Sequence, residues 1–397
     1  MNRMIALAIG LSMTMPAQAQ SLADAVEKAW SRHPQLVAST SREAEAQARA
    51  AVATGITPGP ASMSVSNLND RLNQNRGKQE WEVEMAVPLW VPGQQAARET
   101  EAASAQAQVL AQRHALRLQI AGEVRDAWWA VAAARSAREL AARRLVTSSS
   151  LETDVLRRFK VGELSRIDAN LARNERLTGE AELADAETAL RQAEQAYQNL
   201  TGAAAPTVLA VEKAAATREA RDDHPQLVAA AATAQLARAK FKVAEETRRD
   251  APEFAVRVVR GRGDSAESYD NLVGVKLTIP FSSGPRVRQE NAAAKAELAQ
   301  ADAEMALAQL RLKLDTEKAR LDLDAAERQL AMARQRRELT ADNLALAEKS
   351  FALGESDLTT LLRVRVTAFE GAAFLNRQEI LHAASLSRLN QVMGVLP

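Results

Sequence analysis

The sequence predicts a mainly α-helical protein with a small β part, built as a tandem duplication. Three observations predict it. Roughly a fifth of the 397 residues are Ala, set among Glu, Leu, Arg and Gln, and aromatics make up only 4%. That mixture favours long helices and coiled coils over a single core, which needs larger side chains to fill it. Second, no Pro occurs between Pro92 and Pro206, or between Pro285 and Pro397. In the later gap apolar residues recur every seventh position, as Leu298, Met305, Leu312; as Leu307, Leu314, Leu321; and as Met332, Leu339, Leu346, Leu353. Such a period implies left-handed packing of helix on helix. Third, His33-Pro34-Gln35-Leu36-Val37-Ala38 recurs as His224-Pro225-Gln226-Leu227-Val228-Ala229, an offset of 191. Val87-Pro88-Leu89 with Ile279-Pro280-Phe281, Phe159-x-x-Gly162 with Phe351-x-x-Gly354, and Asn199-Leu200-Thr201-Gly202 with Gln391-Val392-Met393-Gly394 hold an offset of 192. One register over so long a span marks an internal repeat.

The elements follow in order. Arg3, the apolar run Ile5 to Met13 and Ala17-Gln18-Ala19 read as a signal peptide over residues 1–19, so the protein is expected to be exported. The run is about half the ~20 residues a spanning helix needs, and no later segment approaches that length. The first repeat is expected over 20–202. A helix opens at His33-Pro34, with Pro where its missing N–H costs nothing, and ends near Ala53. Strands follow at about 61–68 and 79–90, then a long helical hairpin over 93–202. A linker, 203–223, leads to the second repeat, 224–397, with strands at about 253–260 and 269–281 and a hairpin over 285–394. Within the strands Glu80, Glu82 and Glu84 alternate with Trp81, Val83, Met85 and Val87, while Arg257 and Lys276 alternate with valines and leucines. Period two puts the apolar set on one face and the polar set on the other.

Four such strands in an otherwise helical exported chain allow two readings. They are surface hairpins packed on helices, or they cross a membrane with the apolar face toward lipid. About ten residues suffice for a tilted crossing. Four strands cannot close a barrel, so the second reading requires several chains to share one. From Gly93 to Val161 a helix would extend on the order of 100 Å, several times a bilayer's thickness. Gly162 and Gly354 end the long helices, and Ser165 in the first half and Ser356 or Asp357 in the second can cap the helix that follows.

Signal peptide, twofold repeat, paired short strands, Pro88-Leu89-Trp90-x-Pro92-Gly93 before a long helix, and twin Phe-x-x-Gly turns together resemble the outer-membrane efflux protein family typified by TolC. The segment Thr57-Pro58-Gly59-Pro60-Ala61-Ser62-Met63-Ser64-Val65 and the helix start Gln94-Gln95-Ala96-Ala97-Arg98 look most like its CzcC-type heavy-metal branch. The resemblance implies a homotrimer in outer-membrane lipid, with a shared 12-stranded barrel continued by a 12-helix tunnel. It implies a tripartite efflux system with a periplasmic adaptor and an inner-membrane resistance-nodulation-division transporter, and a passive exit duct for heavy-metal cations or other toxic compounds. The adaptor would meet the helical turns, here Phe159, Val161, Gly162, Glu163, Leu164 and Ser165, with Phe351, Leu353, Gly354, Glu355, Ser356 and Asp357. A tip aspartate that helps hold the TolC pore shut is matched by Asp168. The constricting aspartates of the second turn fall at Thr360 and Arg363, and its gating arginine at Ser356, so the same closing network is not carried over. Rival readings are a periplasmic adaptor, a structural coiled-coil protein of an envelope complex, or the outer-membrane duct of a type I secretion system.

No enzyme constellation is present, and no catalytic residue, cofactor or metal site is expected. The chain has no Cys, which removes thiolate chemistry and disulfides. With 51 basic and 50 acidic residues it lacks the charge excess of a nucleic-acid binder. His33 and His224 sit beside Pro as helix caps, and His114 and His382 are isolated within helical stretches. Arg262-Gly263-Asp264 reads as a turn, and Trp128 and Trp129 as helix packing. Glu80, Glu82 and Glu84, with Arg257 and Lys276, would line the barrel lumen, where the carboxylates favour a cation-selective exit.

Overall fold

A computed structural model describes residues 21–73, 75–214, 223–281 and 284–397. The expected signal peptide and residues 215–222 of the expected linker lie outside the described residues. Helix α1 (Leu22–Arg32) precedes the first helix anticipated from the sequence. Its Ser21 hydroxyl accepts the Asp24 N–H at 3.1 Å and the Asp24 carboxylate accepts the Ser21 N–H at 3.0 Å, a capping box. At His33 the chain turns extended and α2 (Pro34–Ala53) begins, with His33 Nδ1 accepting the Gln35 N–H. Strands β1 (Ser62–Asn69) and β2 (Gln79–Pro88) follow, then α3 (Gln94–Lys160) and α4 (Arg166–Thr201). The same order returns as α5 (Pro225–Glu246), β3 (Glu253–Arg262), β4 (Asp270–Thr278), α6 (Gly284–Ala352) and α7 (Leu358–Val392). His224 caps α5 as His33 caps α2, its Nδ1 accepting the Gln226 N–H at 3.2 Å.

The four strands form one antiparallel sheet in chain order, β1-β2-β3-β4. The β2–β3 pairing joins the two repeats, and β1 and β4 each keep one unpaired edge. At 67 residues α3 runs about 100 Å from the sheet, and α6 matches it with 69 residues. α3 packs antiparallel with α4, α6 with α7, α5 lies between α3 and α6, and α7 also touches α3. Ladders of ion pairs set the register of the first hairpin: Arg135–Glu194, Arg138–Glu187, Arg144 to Glu182 and Glu175, and Glu152–Arg176. Each contributes little alone; together they disfavour a slip of one helix past the other.

The heptad residues of α6 divide between two environments. Leu298 and Met305 pack against Ala234, Ala237 and Ala301, and Leu312 is buried. Leu307, Leu314 and Leu321 lie in the open, as do Met332, Leu339, Leu346 and Leu353, the last four between 57% and 67% exposed. From Leu321 to Met332 the step is eleven residues, a four-residue insertion in the heptad that locally unwinds the supercoil. No described element of the chain covers this stripe.

The largest core lies midway along the molecule. Leu22, Ala25, Val26, Ala29 and Trp30 of α1 are inserted against Ile120, Ala121, Val124, Trp128 and Val131 of α3, with Tyr197 of α4 and Ala383 of α7. Trp129 donates its indole N–H to Ser387 Oγ at 2.9 Å, linking α3 to α7. Two arginines of α3 bind the described part of the inter-repeat segment. Arg135 donates to the carbonyls of Ala205, Pro206 and Thr207. Arg125, 2% exposed, pairs with Glu212 at 2.7 Å and donates to Gln391 and to the Val395 carbonyl.

This buried pair and the buried cap at His224 yield two expectations. Glu212→Ala leaves the Arg125 guanidinium without its carboxylate and is expected to lower stability by ~3 kcal/mol. Glu45→Ala, at the exposed Arg49 pair, is expected to change it by under ~0.5 kcal/mol; urea unfolding followed by circular dichroism distinguishes the two. Burial holds the His224 imidazole below its ordinary pKa, against the opposing pull of the Val392 carbonyl and Asp223. The unfolded imidazole titrates near ~6.5, so the stabilisation is complete above that pH and is lost as pH falls toward the lower folded value. His224→Asn keeps a cap and is expected to flatten the melting-temperature decline between about pH 7.5 and 5.5.

Candidate functional site

The register of the sheet separates two faces. Val83 lies opposite Val65 and Val258, and Met85 opposite Met63 and Val256; across β4 these rows continue as Val273 and Val275. Opposed residues share a face, so Met63, Val65, Trp81, Val83, Met85, Phe254, Val256, Val258, Val273, Val275 and Leu277 form one apolar surface, all of it exposed. The other face carries Ser62, Ser64 and Ser66 opposite Ala86, Glu84 and Glu82, then Arg257 and Lys276. Glu80, Glu82, Glu84, Arg257 and Lys276 therefore share one polar face. Arg257 reaches Glu82 at 3.5 Å and Lys276 reaches Glu84 at 3.2 Å. Glu80 has no cation within pairing distance among the described residues. From Trp81 to Leu89 the apolar band spans nine residues, roughly 26 Å along the strand at ~3.3 Å per residue, at the lower end of the ~9–11 residues of a tilted membrane-crossing strand.

The far end of the helices is made by two matching turns. Gly162 has φ +84° and Gly354 has φ +76°. A Cβ at either would meet nothing within 4 Å, so the left-handed backbone alone demands Gly. In each turn the N–H one residue past the glycine reaches back to close the helix, Glu163 to the Arg158 carbonyl at 3.0 Å and Glu355 to the Ser350 carbonyl at 2.9 Å. Ser165 caps α4 in a capping box with Asp168. Of the two residues that could cap α7, Asp357 does so, accepting the Thr360 N–H at 3.1 Å.

The two turns differ in what they expose. Phe351 is 6% exposed and packs with Leu151, Val155, Ala172, Leu358 and Leu361, with the Arg158 guanidinium 5.2 Å from its ring centre. It ties the two hairpins together and is not a surface contact, which departs from the docking role expected for it. Its counterpart Phe159 is 38% exposed, and Val161, Ile167 and Leu353 are more open still. Gly162, Glu163, Ser165, Gly354, Glu355 and Asp357 are also exposed, whereas Leu164 and Ser356 are half-buried. Asp168, the expected constriction aspartate, is engaged by the Ser165 N–H and hydroxyl; Thr360 lies in the first turn of α7, and Arg363 is exposed one turn on. A further link was not foreseen: Arg365 donates to the Thr147 carbonyl at 3.3 Å and to Glu348 at 2.8 Å, joining α7 to α3 and α6. Nothing in the sequence distinguishes Arg365 from the other arginines of that helix, and the partner of Arg158 is Phe351 of the other hairpin, not the adjacent Phe159.

Other candidates resolve as structure. Asp264 accepts the N–H groups of Ala266 and Glu267, closing a turn. No group of three or more His, Asp or Glu suited to a metal ion occurs among the described residues, and no described helix is long and apolar enough to cross a membrane.

A sheet with one polar and one apolar face, mounted on two helical hairpins of ~100 Å, is the TolC-like fold. Residues 216–395, the second repeat, match the model of the outer membrane efflux protein family. The outer membrane protein VceC from Vibrio cholerae has the same fold, with a TM-score of 0.78 at 16% identity over 94% of this chain and 96% of that one. CusC gives a TM-score of 0.80 at 15% identity over 95% and 93%. The CmeC channel of Campylobacter jejuni gives 0.76 at 14% identity over 94% and 85%. No curated protein matches by sequence.

The charges of the polar face can be tested in planar bilayers. Glu80→Gln removes the unpaired carboxylate and is expected to move the reversal potential in a KCl gradient toward anion permeation. Lys276→Gln releases Glu84 and is expected to move it the opposite way. Identical potentials for both variants and the parent would show that this face does not line the ion path.

Proposed function

We propose that the chain is the outer-membrane channel subunit of a tripartite efflux system. The observation that carries this reading is the four-stranded sheet with two unpaired edges and one continuous exposed apolar face. Hydrocarbon tolerates no unpaired strand edge, and an exposed apolar surface of this kind needs cover. Three copies joined edge to edge satisfy both demands with twelve strands, and bring twelve long helices, α3, α4, α6 and α7 from each, into one tunnel. The exposed Leu and Met stripe of α6 then seats on a neighbouring copy. CusC forms a transmembrane channel and CmeC is an outer membrane channel; this supports the same role here.

In this reading the polar sheet face lines the barrel and the helical turns face the periplasm. Phe159, Val161, Ile167 and Leu353 offer an apolar rim to the hairpin of a periplasmic adaptor, which links the duct to an inner-membrane transporter of the resistance-nodulation-division class. The duct itself is passive. The three glutamates of β2, with Glu253 and Asp270 in the same face register, outnumber Arg257 and Lys276 on the lumen face and favour cations, which suits heavy-metal ions as cargo.

Membrane fractionation tests the channel, and deletion tests the cargo. The protein is expected in the outer membrane as a trimer whose gel mobility changes on heating, and recovery as a soluble periplasmic monomer would overturn the reading in favour of an adaptor or envelope coiled coil. Loss of the gene is expected to sensitise cells to zinc, cobalt, cadmium or copper. Unchanged metal tolerance with heightened sensitivity to organic toxicants would transfer the cargo to those compounds, and blocked export of a protein would mark a secretion duct.

A further inference from the structure

The rim of the sheet farthest from the helices carries charges that the channel reading does not use. In β3 the apolar face continues past Val258 to Arg260 and Arg262, opposite Trp81 and Gln79. Both arginines therefore stand on the lipid-side face, one and two side-chain steps beyond the apolar band. Their guanidinium carbons lie 5.1 and 4.9 Å from the ring centre of Tyr269, and Tyr269 is fixed by its hydroxyl donating to Gln79 Oε1 at 2.8 Å. Arg262 Nε donates to the Gly77 carbonyl at 3.1 Å. Neither guanidinium has a carboxylate within pairing distance among the described residues.

Carboxylates are close by in sequence, yet they are turned elsewhere. Asp70 accepts the N–H groups of Arg76 at 2.7 Å and Gly77 at 3.3 Å. Asp264 accepts those of Ala266 and Glu267, and Glu267 accepts that of Gly263 at 2.8 Å. The acids close the two rim turns while the two cations are held on an aromatic ring, leaving guanidinium N–H groups free to face outward. Resting on the outer-membrane placement proposed above, this level of the sheet meets the headgroups of the outer leaflet. Guanidinium pairs match phosphate oxygens in charge and geometry, and interfacial Tyr and Trp sit at headgroup depth.

We infer that Arg260 and Arg262, organised by Tyr269 and flanked by Trp81, form a binding site for the phosphate groups of an outer-leaflet lipid. The site is built for a phosphorylated amphiphile: chains on the Val83, Val258 and Val273 surface, phosphate on the two guanidiniums.

The test uses the full-length protein in phosphatidylcholine vesicles doped with bisphosphorylated lipid A, or with the same lipid stripped of both phosphates. Flotation first establishes insertion, and mass spectrometry then measures the lipid retained on the purified protein. The parent protein is expected to retain the bisphosphorylated lipid about tenfold over the stripped form. Arg260→Gln with Arg262→Gln is expected to abolish the preference, and Arg260→Lys with Arg262→Lys to keep most of it, which separates loss of charge from misfolding. Equal retention by the parent and the Gln variant overturns the site. Displacement of the lipid by millimolar inorganic phosphate alone would reassign it to free phosphate and overturn the lipid assignment. Failure of the parent protein to float with vesicles would bring down the outer-membrane placement and this site with it, whereas insertion without preference brings down the site alone.

Discussion

The peptide groups along the outer edges of β1 and β4 impose the main constraint on this molecule. Inside the sheet every strand exchanges its ladder with a neighbour, but a four-stranded sheet has two edges, and edge N–H and C=O groups in hydrocarbon each cost several kcal/mol. A soluble protein covers such edges with a helix or loop. Here the long helices run away from the sheet and leave both edges open. The protomer is thus incomplete as a membrane object, and the apolar band beside those edges makes it incomplete as a soluble one. The exposed stripe on α6 points the same way, because a heptad of Leu and Met over ~70 Å of helix has no function facing water.

Duplication explains the economy of the fold and also where it breaks. Each repeat supplies the same parts, and the matched turns at Gly162 and Gly354 close in the same way. Packing then treats the copies differently. α7 lies against α3, so Phe351 at the second turn is enclosed by both hairpins while Phe159 at the first is left open. The same asymmetry divides the heptads of α6, one set buried against α5 and the others free. Two copies of one motif therefore become one structural anchor and one available surface, without any change in the local backbone.

Features governed by local rules were legible in the sequence. His33 and His224 beside Pro act as caps, the turn glycines take positive φ, and alternation placed Glu80, Glu82, Glu84, Arg257 and Lys276 on one face. Helix α1 was equally readable in principle: Ser21-x-x-Asp24 is a capping box, and Leu22, Ala25, Val26, Ala29 and Trp30 repeat at helical spacing. What could not be read depends on contacts between distant segments. That Glu212 would neutralise Arg125, or that Arg365 would reach Thr147, follows from how two hairpins sit together across more than 80 residues, and a heptad period does not say which of its stripes a chain will cover itself.

Charge on the sheet follows one rule applied to two surroundings. On the polar face cations and carboxylates lie opposite one another in solvent-exposed pairs that are weak and exchangeable. On the opposite face charge is absent until the last two positions of β3, where Arg260 and Arg262 appear with their counter-ions withheld. Withholding is active: Asp70, Asp264 and Glu267 are near enough in chain to compete, but backbone N–H groups in the tight turns engage them first. A turn that consumes its own carboxylates is a way of presenting unpaired cations at a fixed height, and Tyr269 gives the guanidiniums a surface to rest on without neutralising them. The same sheet thus pairs most of its β2 carboxylates on the polar face and displays unpaired cations where the apolar band ends.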